Sequence, residues 1–322
     1  MIIHRVSMFI VSAAFVVLAS CGGGGSDGLG PPAQPAPNTA RLPITAANAQ
    51  EITVTVLEAV TSTVEIVSIV DVIGLPLAGT THQGLAKALV ADIFAETTAC
   101  DTGEVTTTWN DADNSLAIST GDTFDILFDM CSIAELGATI DGASSLTNMV
   151  VTGDPFVQIV PWSLATTFGF DNLSATDSVD TVIIDGNLDL VLSSDDDVVV
   201  DFSIATNSLT AQQSAISETL SAYVLTQTID LNALTQVVGT SGTLTSTELE
   251  GSVTFETLQD FMVLGDDNPS SGQLLISDSS SSVLVTVLDN LSVQLEIDLD
   301  LDGTIDQTVV VTWAALDIEL FM

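Results

Sequence analysis

Positive charge is nearly missing from this 322-residue chain: three Lys and Arg stand against 43 Asp and Glu, a formal net charge of −40. Nucleic acid and anionic lipid surfaces are bound through clustered basic side chains, so both are excluded as partners by charge. Histidine is almost as scarce, with His4 near the start and His82 the only other. A Ser-His-Asp set would have to use His82 as its base, and one histidine cannot build the usual zinc site. A loop or helix-capping role suits it better. Paired carboxylates of the glycosidase kind cannot be singled out in so acidic a chain, and the expectation is a protein that is not an enzyme. One Tyr and three Trp are too few for the two aromatic girdles of a membrane-spanning barrel. With three Cys, the disulfide framework of a small secreted domain is also absent.

Apolar residues, by contrast, are plentiful: 46% of the chain is hydrophobic and mean hydropathy is +0.51. Acidic disordered chains are poor in Val, Ile and Leu, so a packed core is expected. So high a negative charge repels itself, and divalent cations or salt relieve that repulsion.

His4 and Arg5 precede an apolar run from Met8 to Leu18, broken only by Ser12. This is the layout of a secretory signal, and the run is short for a membrane span. Its end, Leu18-Ala19-Ser20-Cys21 followed by four glycines, resembles the bacterial lipobox. The resemblance implies cleavage before Cys21 and acylation of Cys21 on sulfur and nitrogen, which together give stable membrane anchoring. Gly22, where aspartate would retain such a protein in the inner membrane, implies the outer membrane. Residues 1–20 are thus expected to be the signal and residues 21–44, rich in Gly and Pro, a lipidated tether. Fully extended, that tether reaches about 80 Å. Beyond the signal only Arg41 and Lys87 oppose all 43 acidic residues, a formal charge of −41. With Cys21 lipidated and the chain exported to an oxidising compartment, Cys100 and Cys131 are expected to form a disulfide. Closing such a loop stabilises a fold by about 3–4 kcal/mol in the chain-entropy account.

From Thr45 the pattern turns helical. Ile52, Val56, Val60, Val64 and Val67 recur at spacings of three and four, which predicts a helix over 46–60 with Thr45 as its N-cap. The β-branched content favours strand instead and leaves 61–73 open. A second helix is expected over 83–95.

After Cys100 the chain alternates apolar and polar residues in runs such as 105–109, 123–128, 179–184, 188–192, 198–204, 274–276, 283–288, 293–297 and 309–313. Asp-Gly, Asp-Asn, Ser-Gly and Asn-Pro pairs between the runs read as hairpin turns. Ile140-Asp141-Gly142, Ile184-Asp185-Gly186 and Leu249-Glu250-Gly251 each introduce a new run, and Asp171-Asn172-Leu173-Ser174 recurs as Asp289-Asn290-Leu291-Ser292. One wet and one dry face is the mark of antiparallel sheet. Residues 45–322 are therefore expected to be one mainly β domain: a curved antiparallel meander, whether open, half-barrel or sandwich, with one or two N-terminal helices.

Two acidic loops point to calcium, a hard cation that takes six to eight oxygens. Asp298, Asp300, Asp302 and Asp306 fall at positions 1, 3, 5 and 9 of a loop, with Gly303 at position 6 and the Thr304 carbonyl at position 7. Val309 stands where an EF-hand has glutamate, so the competing reading is an ordinary solvated hairpin. Asp111, Asp113, Ser115 and Asp122 form a weaker candidate, with Leu116 in place of the expected glycine. Asp195–Asp197 and Asp266–Asn268 read as solvated turns.

The segment Cys100…Trp109-Asn110-Asp111…Gly121-Asp122…Cys131 and the C-terminal Thr312-Trp313-Ala314-Ala315-Leu316, together with Cys21 and its glycines, resemble uncharacterised lipoproteins of Gram-negative bacteria. The resemblance implies fold context and no activity. The functional expectation is an envelope lipoprotein with a binding or structural role, touching the membrane through its anchor. The alternative is a carrier holding lipid or another apolar ligand in a half-open sheet.

Overall fold

In the computed structural model, residues 42–72, 93–115, 118–133, 137–154, 159–177, 180–196, 198–265 and 268–316 are described. Helix α1 (Ala49–Val72) precedes fourteen strands: β1 (Ile93–Ala99), β2 (Thr102–Asn110), β3 (Thr123–Ile133), β4 (Ala138–Asp154), β5 (Ile159–Thr176), β6 (Thr181–Ser194) and β7 (Val199–Gln213), then β8 (Ile216–Asp230), β9 (Thr235–Ser246), β10 (Gly251–Leu264), β11 (Ser271–Ser277), β12 (Ser282–Asp289), β13 (Ser292–Asp298) and β14 (Gln307–Thr312). A four-residue helix α2 (Trp313–Leu316) follows. Each strand pairs antiparallel with its neighbours in sequence, so the sheet is one uninterrupted meander. It is not closed: β1 and β14 are its two edges among the described residues.

Helix α1 lies against the inner face and gives the sheet a core. Ile52, Val56, Leu57 and Val60 have no exposed surface, and they join inward residues from β3 through β13, among them Ile126, Leu188, Ile204, Leu244, Phe261 and Leu295. The helix runs through the span whose β-branched residues favoured strand. Its threonines explain how: Thr53, Thr55 and Thr61 donate their hydroxyls to the carbonyls of Ala49, Glu51 and Leu57, one turn back. Burial of one apolar stripe then outweighs local preference. Thr45 is not the cap. The first helical turn bonds Ile52 N–H to Asn48 O, and the Asn48 side chain folds back to accept the Thr45 N–H. The second expected helix falls mostly on 73–92, outside the described residues; its last part, Ile93 to Ala95, is strand paired with Thr108 to Asn110. Trp313, expected to end a strand, instead opens α2 and is buried, its N–H groups donating to Leu291 O and Asp289 O.

A buried polar contact fastens helix to sheet. The Tyr223 hydroxyl, fully buried on β8, meets the Thr63 hydroxyl at 2.7 Å, while Thr63 also lies 2.7 Å from Val60 O. With Thr63 donating to the carbonyl, Tyr223 donates to Thr63. Tyr223→Phe strips a buried acceptor of its donor, and the expected cost is about 1–2 kcal/mol, read from urea unfolding. A neutral result would show that α1 does not dock on β8.

The curvature comes from bulges, and here two expected turns become something else. Asp141-Gly142 and Asp185-Gly186 do not link strands; they lie inside β4 and β6. Opposite Gly142, β5 carries two residues, Asn172 and Leu173, between the pairs Asp141–Ser174 and Ala143–Asp171. Asn172 has φ +49°, and its N–H points at the Asp185 carboxylate, 3.5 Å away. The same device appears two strands earlier, where Met130 has φ +47° and donates its N–H to Asp141 at 3.2 Å. An aspartate thus caps the backbone donor that the bulge on the preceding strand leaves unpaired. Such bulges also shift which residues face inward. Ile204 and Thr206 are buried before the β7 irregularity and Leu209 after it; Leu220 is buried before Ala222 (φ +48°), Tyr223 and Leu225 after. A strict two-residue alternation would have broken these long strands into pieces. Of the three Asp/Glu-Gly echoes only Glu250-Gly251 stands at a hairpin, between β9 and β10.

Candidate acidic loop sites

The two acidic loops sit at opposite ends of the meander, one between β2 and β3, the other between β13 and β14. In the latter, Asp298, Asp300 and Asp306 bring carboxylate oxygens within 4.8 Å of one another. Asp298 ends β13, and its two oxygens accept the N–H groups of Asp300 (3.2 Å) and Gly303 (3.0 Å). Partial burial works against its charge, but these and further backbone donors at Leu301 and Asp302 hold the carboxyl below its ordinary range. Asp306 returns across the loop to accept the Leu299 N–H at 2.8 Å. Leu301 (φ +57°) and Gly303 (φ +83°) make the sharp turn that folds the carboxylates inward. Asp302 lies outside the cluster; its carboxylate accepts the Thr304 N–H at 2.7 Å. The set is all hard oxygen, the donor type that hard cations such as calcium and magnesium take.

The β2–β3 loop gathers Asp111, Asp113 and Asp122 in the same way, but its central carboxylate is already engaged. Asp122 has no exposed surface and accepts from Ala112 N–H and Ser119 N–H (both 2.9 Å), and from the Ser119 hydroxyl and the Trp109 indole N–H (both 3.3 Å). Ser115 donates its N–H to Asp111 and Asp113. Asp122 is therefore the tie of a folded loop. Trp109 stacks on Phe124 with ring centroids 5.7 Å apart, so the loop rests on an aromatic pair.

Cys100, in the β1–β2 turn, and Cys131, at the β3 bulge, lie with Cα atoms 5.4 Å apart and their sulfurs at bonding distance. They join the turn to β3 across β2. Asp196 caps Val198 and Val199 N–H in the β6–β7 turn. Asp197, Asp266, Asp267 and His82 fall outside the described residues.

One titratable residue was missed in the sequence. Glu218 enters β8 on its inward side, two residues before buried Leu220 and opposite fully buried Ser246. Burial first, and the Glu248 charge second, push its carboxyl up to about 7, against a lowering hydrogen bond from Ser246. The signal was present: Ile216, Glu218 and Leu220 share one face of an alternating run.

Comparison with known proteins gives no match: no family model, no curated protein and no solved structure matches this chain.

Proposed function

We propose that the chain is an outer-membrane lipoprotein, anchored through Cys21, whose β body is a non-enzymatic scaffold or binding protein of the envelope stabilised by calcium. The observation that carries the reading is the way α1 fills the inner face. Ile52, Val56, Leu57 and Val60 have no exposed surface, so the chain's own helix covers the part of the inner face on which it packs. The acidic loops are then the chemically distinctive features that remain. An ion at Asp298, Asp300 and Asp306 would neutralise carboxylates crowded into one turn and hold β13 to β14.

Calcium binding is expected to raise the thermal midpoint by on the order of 5 °C at saturating ion, since an ion bound at a hundred times its Kd adds about 2.7 kcal/mol. Asp298→Asn and Asp306→Asn should each remove that shift, while Asp122→Asn should destabilise the fold with the calcium shift intact. Equal midpoints with calcium and with chelator in the unaltered protein would refute the calcium part of the reading.

A carrier role has one observation in its favour. Phe124, Phe128, Phe170 and Phe202, from β3, β5 and β7, pack against the core yet are only half-buried. An apolar ligand along them would complete their burial.

A further inference from the structure

We propose that β14 is a self-association edge, at which two copies pair antiparallel about a two-fold axis through Val310. Four observations converge on it. First, β14 pairs only with β13 among the described residues, and its side chains stand in the open: Val310 is 57% exposed and Val309 40%. Across the pair from Val309, Leu295 is 1% exposed. The inner apolar face therefore stops short at this strand, with Val309 and Val311 flanking the space where another strand would lie. Second, three of the usual guards of a free edge, charge, proline and a bulge, are missing from β14. Gln307 to Ala315 contains no charged residue and no proline, and the β13–β14 register runs without a bulge. The opposite edge, β1, carries Glu96.

Third, the sequence is its own partner. Thr308-Val309-Val310-Val311-Thr312 reads the same in both directions. Pairing centred on Val310 sets Thr308 against Thr312 and Val309 against Val311. Threonine opposite threonine is a contact this sheet already uses: Thr97–Thr106, Thr176–Thr181 and Thr210–Thr219 are directly opposed, with hydroxyl oxygens 2.9–3.0 Å apart. Fourth, the backbone directions agree with that register. The Trp313 N–H donates to Leu291 O on the β13 side. In an antiparallel ladder alternate residues turn their N–H and C=O to the same neighbour. Positions 309 and 311 therefore face β13, while 308, 310 and 312 present theirs to the free edge. Residues 308, 310 and 312 of one copy then meet 312, 310 and 308 of the other, each as a hydrogen-bonded pair. The occupant is a second copy because the edge complements itself in sequence, in side-chain face and in hydrogen-bond direction.

The large negative charge of each copy opposes the approach, so association strengthens with ionic strength. The test is cysteine crosslinking in the full chain. In the proposed register the two Val310 Cα atoms lie about 5.5 Å apart, within disulfide reach. Val310→Cys should give a covalent dimer on mild oxidation. Thr308→Cys and Thr312→Cys should each give at least tenfold less alone, and should crosslink to one another when the two variants are mixed. Adding Val310→Pro to that mixture removes an outward N–H without touching the β13 ladder, and should abolish the crosslink while leaving the unfolding midpoint unchanged. No crosslink at position 310, equal yields at every position, or a mixed crosslink that survives Val310→Pro would overturn the proposal.

Discussion

Glu218→Gln is expected to stabilise the fold at pH 8 by about 3 kcal/mol and to leave it unchanged at pH 4. The folded-state carboxyl is raised from 4.5 to about 7. Between those values the native protein holds a proton that the unfolded chain has released, so stability falls as pH rises through the window and the loss is complete just above 7. Each pKa unit is worth about 1.4 kcal/mol, which sets the size of the effect. Glutamine keeps the shape and a hydrogen-bonding amide for Ser246, but has no charge to strand against Glu248. The repulsion among the other carboxylates is common to both proteins, so the difference between them isolates this site. Urea unfolding at the two pH values is the measurement. The same stability difference at both would mean that Glu218 titrates in the folded protein where it does in the unfolded chain, and hence that it is solvated.

The second large effect is at the bulges. Gly186→Val is expected to cost more than about 3 kcal/mol. Gly186 has φ +129°, a conformation a β-branched residue does not adopt, and a β-carbon built there would lie 2.5 Å from Ser208 O and 3.0 Å from Leu209 Cα. Both are backbone atoms of β7, so relief requires moving a strand. Gly265 is the comparison. It too has positive φ, +61°, but a β-carbon there meets nothing within 4 Å, so Gly265→Ala should cost only about 1 kcal/mol, the conformational strain alone. Similar unfolding midpoints for the two variants would contradict the close approach of β6 and β7 on which the curvature rests.

These two sites also show where the sequence could be read and where it misled. Alternation identified an antiparallel meander because one face of each strand is dry, and that pattern survives locally even in long strands. It failed at Asp141-Gly142 and Asp185-Gly186, because a glycine with positive φ serves a bulge as well as a turn, and only the neighbouring strand decides which. The runs 179–184 and 188–192 therefore read as two strands, yet from Thr181 onward they belong to the single strand β6. Helix α1 was half legible. Its spacing put Ile52, Val56 and Val60 on the buried stripe, but the helix runs on past residue 60 to Val72 through β-branched residues that leave helix and strand undecided. In the acidic loops, spacing brought out Asp298, Asp300 and Asp306, and Asp111, Asp113 and Asp122, the two groups that converge in space. It did not separate Asp302, whose carboxylate is engaged by the next turn of its own loop. Glu218 went unnoticed because a single acidic residue in so acidic a chain stands out only once its face is known.

The central claim is that α1 is the occupant of the inner face, with calcium and not an apolar ligand as the bound species. Native mass spectrometry of the full chain, purified in calcium-containing buffer, tests this directly. The account predicts the covalent mass of the chain with calcium adducts that disappear in Asp298→Asn. A further non-covalent mass of lipid size, retained on the protein and released on unfolding, would contradict it and establish the half-buried phenylalanines of β3, β5 and β7 as the wall of a carrier site.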